Sequence, residues 1–166
     1  MERISKENYY LDIAETVLER ATCLRRVYGA IIVKNDEIIS TGYNGAPRGR
    51  ANCTDLGYCS REAMQVPRGQ RYELCRSVHA EANAIISAAR KDCVGGTLYL
   101  VGRDAQTREL LADATSCSMC RRLVINAGLD QVVIRRTKET FEVIPVSAWV
   151  DEDDLLARRA PEMDLR

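Results

Sequence analysis

The sequence predicts an α/β fold, a three-layer α/β/α sandwich around a mixed central sheet. Three observations carry this expectation. Apolar residues recur at helical spacing over residues 6–22, two short β-rich runs follow with a tight turn between them, and from residue 79 onward helical and strand-like segments alternate. An opening hairpin followed by such alternation implies a sheet covered on both faces, with ligands at strand ends where helices begin. A chain of 166 residues suits one well-buried core, so a single domain over 1–166 is expected.

Taken in order, Tyr9, Tyr10, Ile13, Ala14, Val17, Leu18 and Ala21 share one face of the first helix, where the tyrosines pack rather than react. Residues 29–33 and 37–41 form an antiparallel hairpin closed by a Lys-Asn-Asp turn. The second strand runs into GYNGAPRG (42–49), a glycine- and proline-punctuated loop able to bring backbone close to a ligand. Residues 50–76 show little periodicity and read as an irregular insertion that needs help to hold its shape.

A helix is expected over 79–91, ended near Gly95-Gly96, and a strand over 97–101. Residues 102–115 read as a loop or small hairpin. A helix over 117–127 closes at Gly128, 131–135 is the next strand, and 141–146 could add another at the sheet edge. The strongly charged stretch from Asp151 onward reads as a short helix or partly disordered tail.

Composition narrows the function classes. Lys plus Arg and Asp plus Glu both number 24, so no basic excess marks a dedicated polynucleotide binder, while small nucleotides stay open. Seven cysteines, an odd number, with no signal-type apolar segment after Met1, argue against a secreted disulfide framework. No apolar run approaches a membrane span, and a cytoplasmic protein is expected.

His79, Glu81, Cys117 and Cys120 carry the chemistry. They fall in HAEANAI (79–85) and SCSMC (116–120), each at the start of an expected helix. Cys117 and Cys120, three apart, share a helix face, and a helix start favours thiolate over thiol. One imidazole and two thiolates leave a tetrahedral zinc one ligand short, the mark of a catalytic rather than a structural ion. Glu81, two residues past His79, is placed to carry protons rather than to ligate. Each member has a bland reading: a surface histidine, half of a structural zinc site, a solvated glutamate. The chain has a single His, and it stands directly before Ala-Glu at the head of an alanine-rich helical run, which favours the joint reading.

TGYNGAPRG, then VHAEANAI, then a strand and Cys-x-x-Cys, resembles the deoxycytidylate (dCMP) deaminases of the cytidine deaminase-like superfamily, over about residues 5–136. The resemblance implies a cytidine deaminase-like fold and hydrolysis of dCMP to dUMP and ammonia, with Glu81 serving as both base and acid. It implies that Asn44 holds the sugar hydroxyl and that Ala30, behind Gly29, lines the base pocket. It also implies a homo-oligomer, commonly a hexamer, switched on by dCTP and off by dTTP near the GYNG loop. Arg26 reads either as a phosphate ligand or as a solvated arginine at a helix end.

Two departures from the family pattern stand out. Ser116 replaces the proline usual before the first Cys of the pair, and a serine there could cap the helix. Tyr28 stands where valine is usual before Gly-Ala, and a structural role is the favoured reading.

Cys23, Cys53, Cys59 and Cys75 match the complement of a second, closed zinc site. The first two transfer by resemblance; the last two follow from their count and from the insertion they bracket. Buried reduced thiols are the alternative, and Cys93 reads as structural. Arg61, Arg68, Arg71 and Arg76 could meet phosphates, with solvated or salt-bridged roles the safer reading. Two other functions compete: a deaminase of another cytosine- or guanine-type nucleoside or nucleotide, and a non-catalytic, zinc-containing nucleotide-binding regulator.

Overall fold

The computed structural model describes residues 1–152; the charged tail expected beyond that point lies outside the described residues. Five strands form one sheet in the order β2-β1-β3-β4-β5: Arg26–Lys34 (β1), Glu37–Tyr43 (β2), Thr97–Asp104 (β3), Gln131–Arg135 (β4) and Phe141–Pro145 (β5). Only the β3–β4 pairing is parallel, and the other three are antiparallel, so the sheet is mixed as expected.

Alternation along β1 assigns the two faces. Val27, Ile31 and Val33 pack with Tyr10, Leu11, Ala14 and Leu18 of α1 (Lys6–Leu18) on one side. Ala30 and Ile32 point the other way, into a core shared by Ala80 and Ala84 of α4 (Ala80–Ile86) and Val124 and Ala127 of α6 (Ser118–Ala127). Trp149, on the short α7 (Val146–Asp151) that follows β5, closes the same core. Three layers result, with the sheet in the middle.

Two glycines let helices approach the sheet more closely than a side chain would permit. A Cβ on Gly29 would stand 2.1 Å from the Ala14 carbonyl oxygen of α1. On Gly42 it would stand 2.3 Å from the Ala80 carbonyl and 2.4 Å from the Ala84 amide of α4. The β1–β2 hairpin turns on Asn35 and Asp36, both left-handed with φ of 52° and 64°, as a two-residue turn of matching twist requires.

Several boundaries differ from the sequence expectation. Helix α1 stops at Leu18 rather than 22, because the Thr22 amide bonds the Asn44 carbonyl at 3.1 Å and draws the chain toward β2. Strands β1 and β3 run longer than expected because they pair along their whole length, Arg26 opposite Asp104. Helix α4 ends at Ile86: the Ser40 hydroxyl donates to the Ala84 carbonyl at 2.7 Å, and the Ala88 amide bonds Ile85 instead. A separate turn of helix, α5 (Arg90–Cys93), follows. The stretch after β3 folds back as a small hairpin, bridged from Arg103 to Leu110. The insertion at 50–76 contains α2 (Cys53–Leu56), α3 (Ser60–Ala63) and a 3-10 turn, Tyr72–Leu74.

Among the described residues no helix is long and apolar enough to cross a membrane.

Candidate metal centre

Helices α4 and α6 pack against each other on one face of the sheet, and their starts bring the metal-bearing residues together. His79 is the N-cap of α4 and Cys117 the N-cap of α6, both in extended conformation, so each donor leaves the chain just where a helix begins. Ser116 does not cap α6, since Cys117 holds that position and no side chain bonds the helix start.

The donor atoms have the spacing of zinc ligands. His79 Nδ1 lies 3.5 Å from Cys117 Sγ and 3.4 Å from Cys120 Sγ. Tetrahedral zinc, with bonds of about 2.3 Å to sulfur and about 2.0–2.1 Å to nitrogen, places such ligands roughly 3.5 Å apart. All three donors lie within 4.8 Å of one another, and among the described residues no fourth His, Cys, Asp or Glu joins them. The residues therefore fit zinc in an open, three-ligand site.

The electrostatics of the protein alone also call for a cation. Burial disfavours charge on His79, yet the Cys117 and Cys75 thiols and the Glu81 carboxylate outweigh it and raise the imidazole to about 10. Cys117 falls to about 4, chiefly through its contact with Cys120, while that same contact and burial push the Cys120 thiol up. A divalent ion meets the same demand for positive charge by displacing protons from the ligands. Glu81, 4 % exposed in the first turn of α4, has its carboxyl raised by burial. Its own backbone amide, Ser116 and His79 pull the other way without cancelling that effect.

A cavity of about 120 Å³ opens beside these groups, lined by His79, Glu81 and Cys117 together with Tyr28, Asn44, Arg26 and Tyr72. Asn44 is 6 % exposed and turns its amide to β1: its Oδ1 accepts from the Tyr28 amide at 2.8 Å, and its Nδ2 donates to the Arg26 carbonyl at 2.9 Å. One N–H and one lone pair remain for a ligand. Ala30 is fully buried in the core and does not line the cavity; Tyr28, two residues earlier on the same face of β1, supplies that wall. Its ring lies over Gly102 on the neighbouring strand, where a Cβ would stand 2.6 Å from Tyr28 Cε1. Arg26 reaches the cavity with its Nη2 3.7 Å from Asp113 Oδ2.

Cys23, Cys59 and Cys75 also line this cavity, and the Cys53 thiol is raised first by burial and then by the charges of those three. Three of the four thus face one volume, and Cys53 is near enough for their charges to act on it. No three of their sulfurs come within 4.8 Å of one another. Cys23 accepts from the Arg25 amide at 3.4 Å, and Cys75 sits beside His79.

Sequence reasoning passed over Tyr72, whose ring meets the His79 imidazole edge-on at 5.4 Å, because it lies in an aperiodic segment where no spacing marks it.

Comparison with known proteins places these features in context. The family model for the cytidine and deoxycytidylate deaminase zinc-binding region matches residues 4–136. The deoxycytidylate deaminase of Mycobacterium phage D29 is 37% identical over 138 residues, covering 80% of this chain and 96% of that one. Those of Schizosaccharomyces pombe and Saccharomyces cerevisiae are each 32% identical, covering 79% and 86% of this chain. The chain spans only 37% and 42% of the length of those two yeast proteins. Among solved structures, the apo dCMP deaminase of cyanophage S-TIM5 superposes with a TM-score of 0.53 at 26% identity, covering 78% of this chain and 81% of that one.

Proposed function

Since the chain belongs to the cytidine and deoxycytidylate deaminase zinc-binding family, we propose that it is a zinc-dependent hydrolase converting dCMP and water to dUMP and ammonia. The observation that carries this reading is the pairing of an open His79/Cys117/Cys120 donor set with a buried Glu81 at one rim of the sheet. The names of the phage and yeast relatives support dCMP as the substrate.

Zinc, when bound, supplies Lewis acidity and lowers the pKa of water toward neutrality. Glu81 accepts the proton of the attacking water and delivers protons to the pyrimidine ring nitrogen and the departing amine, the established pattern of zinc deaminases. Its burial keeps bulk water away from that relay and raises the carboxyl, so that it holds a proton more readily than an exposed glutamate would. Asn44 offers its remaining N–H and lone pair to the sugar, Arg26 meets the phosphate end, and Tyr28 takes the base-pocket position expected of Ala30.

A second, structural zinc on Cys23, Cys53, Cys59 and Cys75 belongs to the same proposal, supported by the three that line the cavity and by their nearness to Cys53. Metal analysis decides it: two zinc ions per chain support it, one refutes it. A homo-oligomer of hexameric size and control by dCTP and dTTP also belong to this proposal, on the family resemblance alone. Sedimentation with and without each triphosphate tests them.

The primary test is ammonia release from dCMP, CMP, cytidine and dCTP by zinc-loaded protein. Preference for dCMP is the expected result. A zinc-loaded protein that releases no ammonia from dCMP refutes the proposal.

A further inference from the structure

Four arginines reach the wall of the catalytic cavity: Arg25, Arg26, Arg61 and Arg68. Three of them face carboxylates. Arg25 Nε lies 2.9 Å from Glu62, and Arg26 and Arg68 share Asp113 at 3.7 and 3.0 Å. Arg61 differs: it is the most buried of the four, at 5 % exposure, and among the described residues it pairs with no carboxylate.

Burying a cation without a counter-charge is costly, and the partners Arg61 does have are neutral. Its Nη2 donates to the Pro67 and Gln70 carbonyls at 3.3 and 2.5 Å, and its Cζ lies 4.4 Å from the centre of the Tyr72 ring. Its Nε is shut from water and has no hydrogen-bond partner at all. These contacts anchor the guanidinium in the insertion and fix its orientation, yet leave it without an ion-paired carboxylate beside a cavity. An anion in that cavity would complete it, and a planar guanidinium held rigid suits a phosphate in particular.

Tyr72 links this group to the metal centre. One face of its ring carries the Arg61 guanidinium, and the ring meets the His79 imidazole nearly perpendicularly, at 87°. The arginine therefore stands one aromatic ring away from a metal ligand, on the side of the cavity that the insertion supplies.

Resting on the dCMP reading above, we propose that Arg61 recognises the 5′-phosphate of the substrate, and that this contact settles the insertion and, through Tyr72, the setting of His79. The bound phosphate thus contributes to the chemical step and not only to affinity: a remote, non-reacting part of the substrate supplies energy for organising the site. It also makes the enzyme select nucleoside monophosphates over nucleosides by turnover.

The test uses the full-length zinc-loaded protein with dCMP, with 2′-deoxycytidine, and with 2′-deoxycytidine plus inorganic phosphite, which mimics the phosphate dianion in pieces. Loss of a hydrogen-bonded charge contact predicts that Arg61→Met lowers the ratio of kcat/KM for dCMP over deoxycytidine by about 30-fold, with kcat on dCMP falling as well as KM rising. Phosphite should accelerate deoxycytidine turnover by the wild type and fail to do so in the variant. Should Arg61→Met not fold, Arg61→Lys carries the same measurement, because lysine keeps the charge but loses the fixed planar fork. An unchanged substrate ratio in the folded variant overturns the assignment. Wild-type turnover of deoxycytidine that does not respond to phosphite overturns the coupling to the chemical step. A wild type inert toward dCMP would instead sink the deaminase reading itself, so the two failures are distinguishable.

Discussion

Arg135 and Glu15 form an ion pair sealed between β4 and α1: Arg135 Nη1 lies 2.6 Å from Glu15 Oε2, and the arginine side chain is 1 % exposed. Asp12 adds a second carboxylate at 2.7 Å, and Glu15 also pairs with Arg103. Removing one partner of a buried pair leaves the other charge uncompensated. Glu15→Ala is expected to destabilise the fold by about 3 kcal/mol, read from guanidinium unfolding of the zinc-loaded protein. A loss under about 1 kcal/mol would show that Asp12 alone suffices.

Glu81→Gln keeps the shape of the buried side chain but cannot accept a proton. Turnover of dCMP is expected to fall by at least about a thousandfold while zinc content stays that of the wild type. Activity within tenfold of the wild type would remove Glu81 from the role of proton carrier.

The close approach of α4 to Gly42 makes a distant glycine matter to the site. Gly42→Ala would press on the Ala80 carbonyl and Ala84 amide and shift the helix that carries both His79 and Glu81. The expected cost is about 1–3 kcal/mol of stability, with a drop in kcat larger than any change in KM. A variant with wild-type kcat would mean that the helix absorbs the methyl group without moving its first turn.

Tyr10 donates to Asp36 Oδ1 at 2.6 Å, and this bond, ahead of burial, raises the tyrosine to about 12. Asp36 is lowered, first by Lys6 and then by Tyr10. The signs give a limit at each end of the pH scale. The tyrosine contribution is fully present below its unfolded value of about 10 and is lost as pH rises toward about 12. The aspartate contribution is present above its unfolded value and lost as pH falls through the lower folded one. Wild type and Tyr10→Phe should therefore differ most in stability near neutral pH and converge as the solution is taken from pH 10 toward 12. A difference that stays constant across that range would separate the hydrogen bond from the shift.

The donors that would hold zinc come from two helix starts, with 38 positions between His79 and Cys117. Stripping it with a chelator should lower the unfolding midpoint as well as abolish turnover, and added zinc should restore both. Loss of activity without a change in midpoint would mean that the rim holds its shape without the ion.

Much of the architecture could be read from the chain because periodicity and turn chemistry are local. Asn35-Asp36 announces its hairpin, and Gly128, with φ of 79°, ends α6 where expected. What failed was set by partners far away in sequence. Helix α4 breaks where Ser40 takes the Ala84 carbonyl, and α1 stops where Thr22 is drawn to Asn44; no pattern within either helix signals such a bond. The metal donors were legible because their chemistry demands particular residue types at particular spacings. The cavity wall was not: Tyr28 lines it through a ring position that the bare backbone of the cross-strand neighbour Gly102 allows.

That last contact gives a strand position outside the cavity lining a say in what the pocket admits. The Tyr28 ring rests against bare backbone at Gly102 and also lines the cavity. Even a methyl group at 102 would evict the ring from its resting place. The cavity wall at Tyr28 is thus gauged from behind, by a backbone position that does not itself line the cavity.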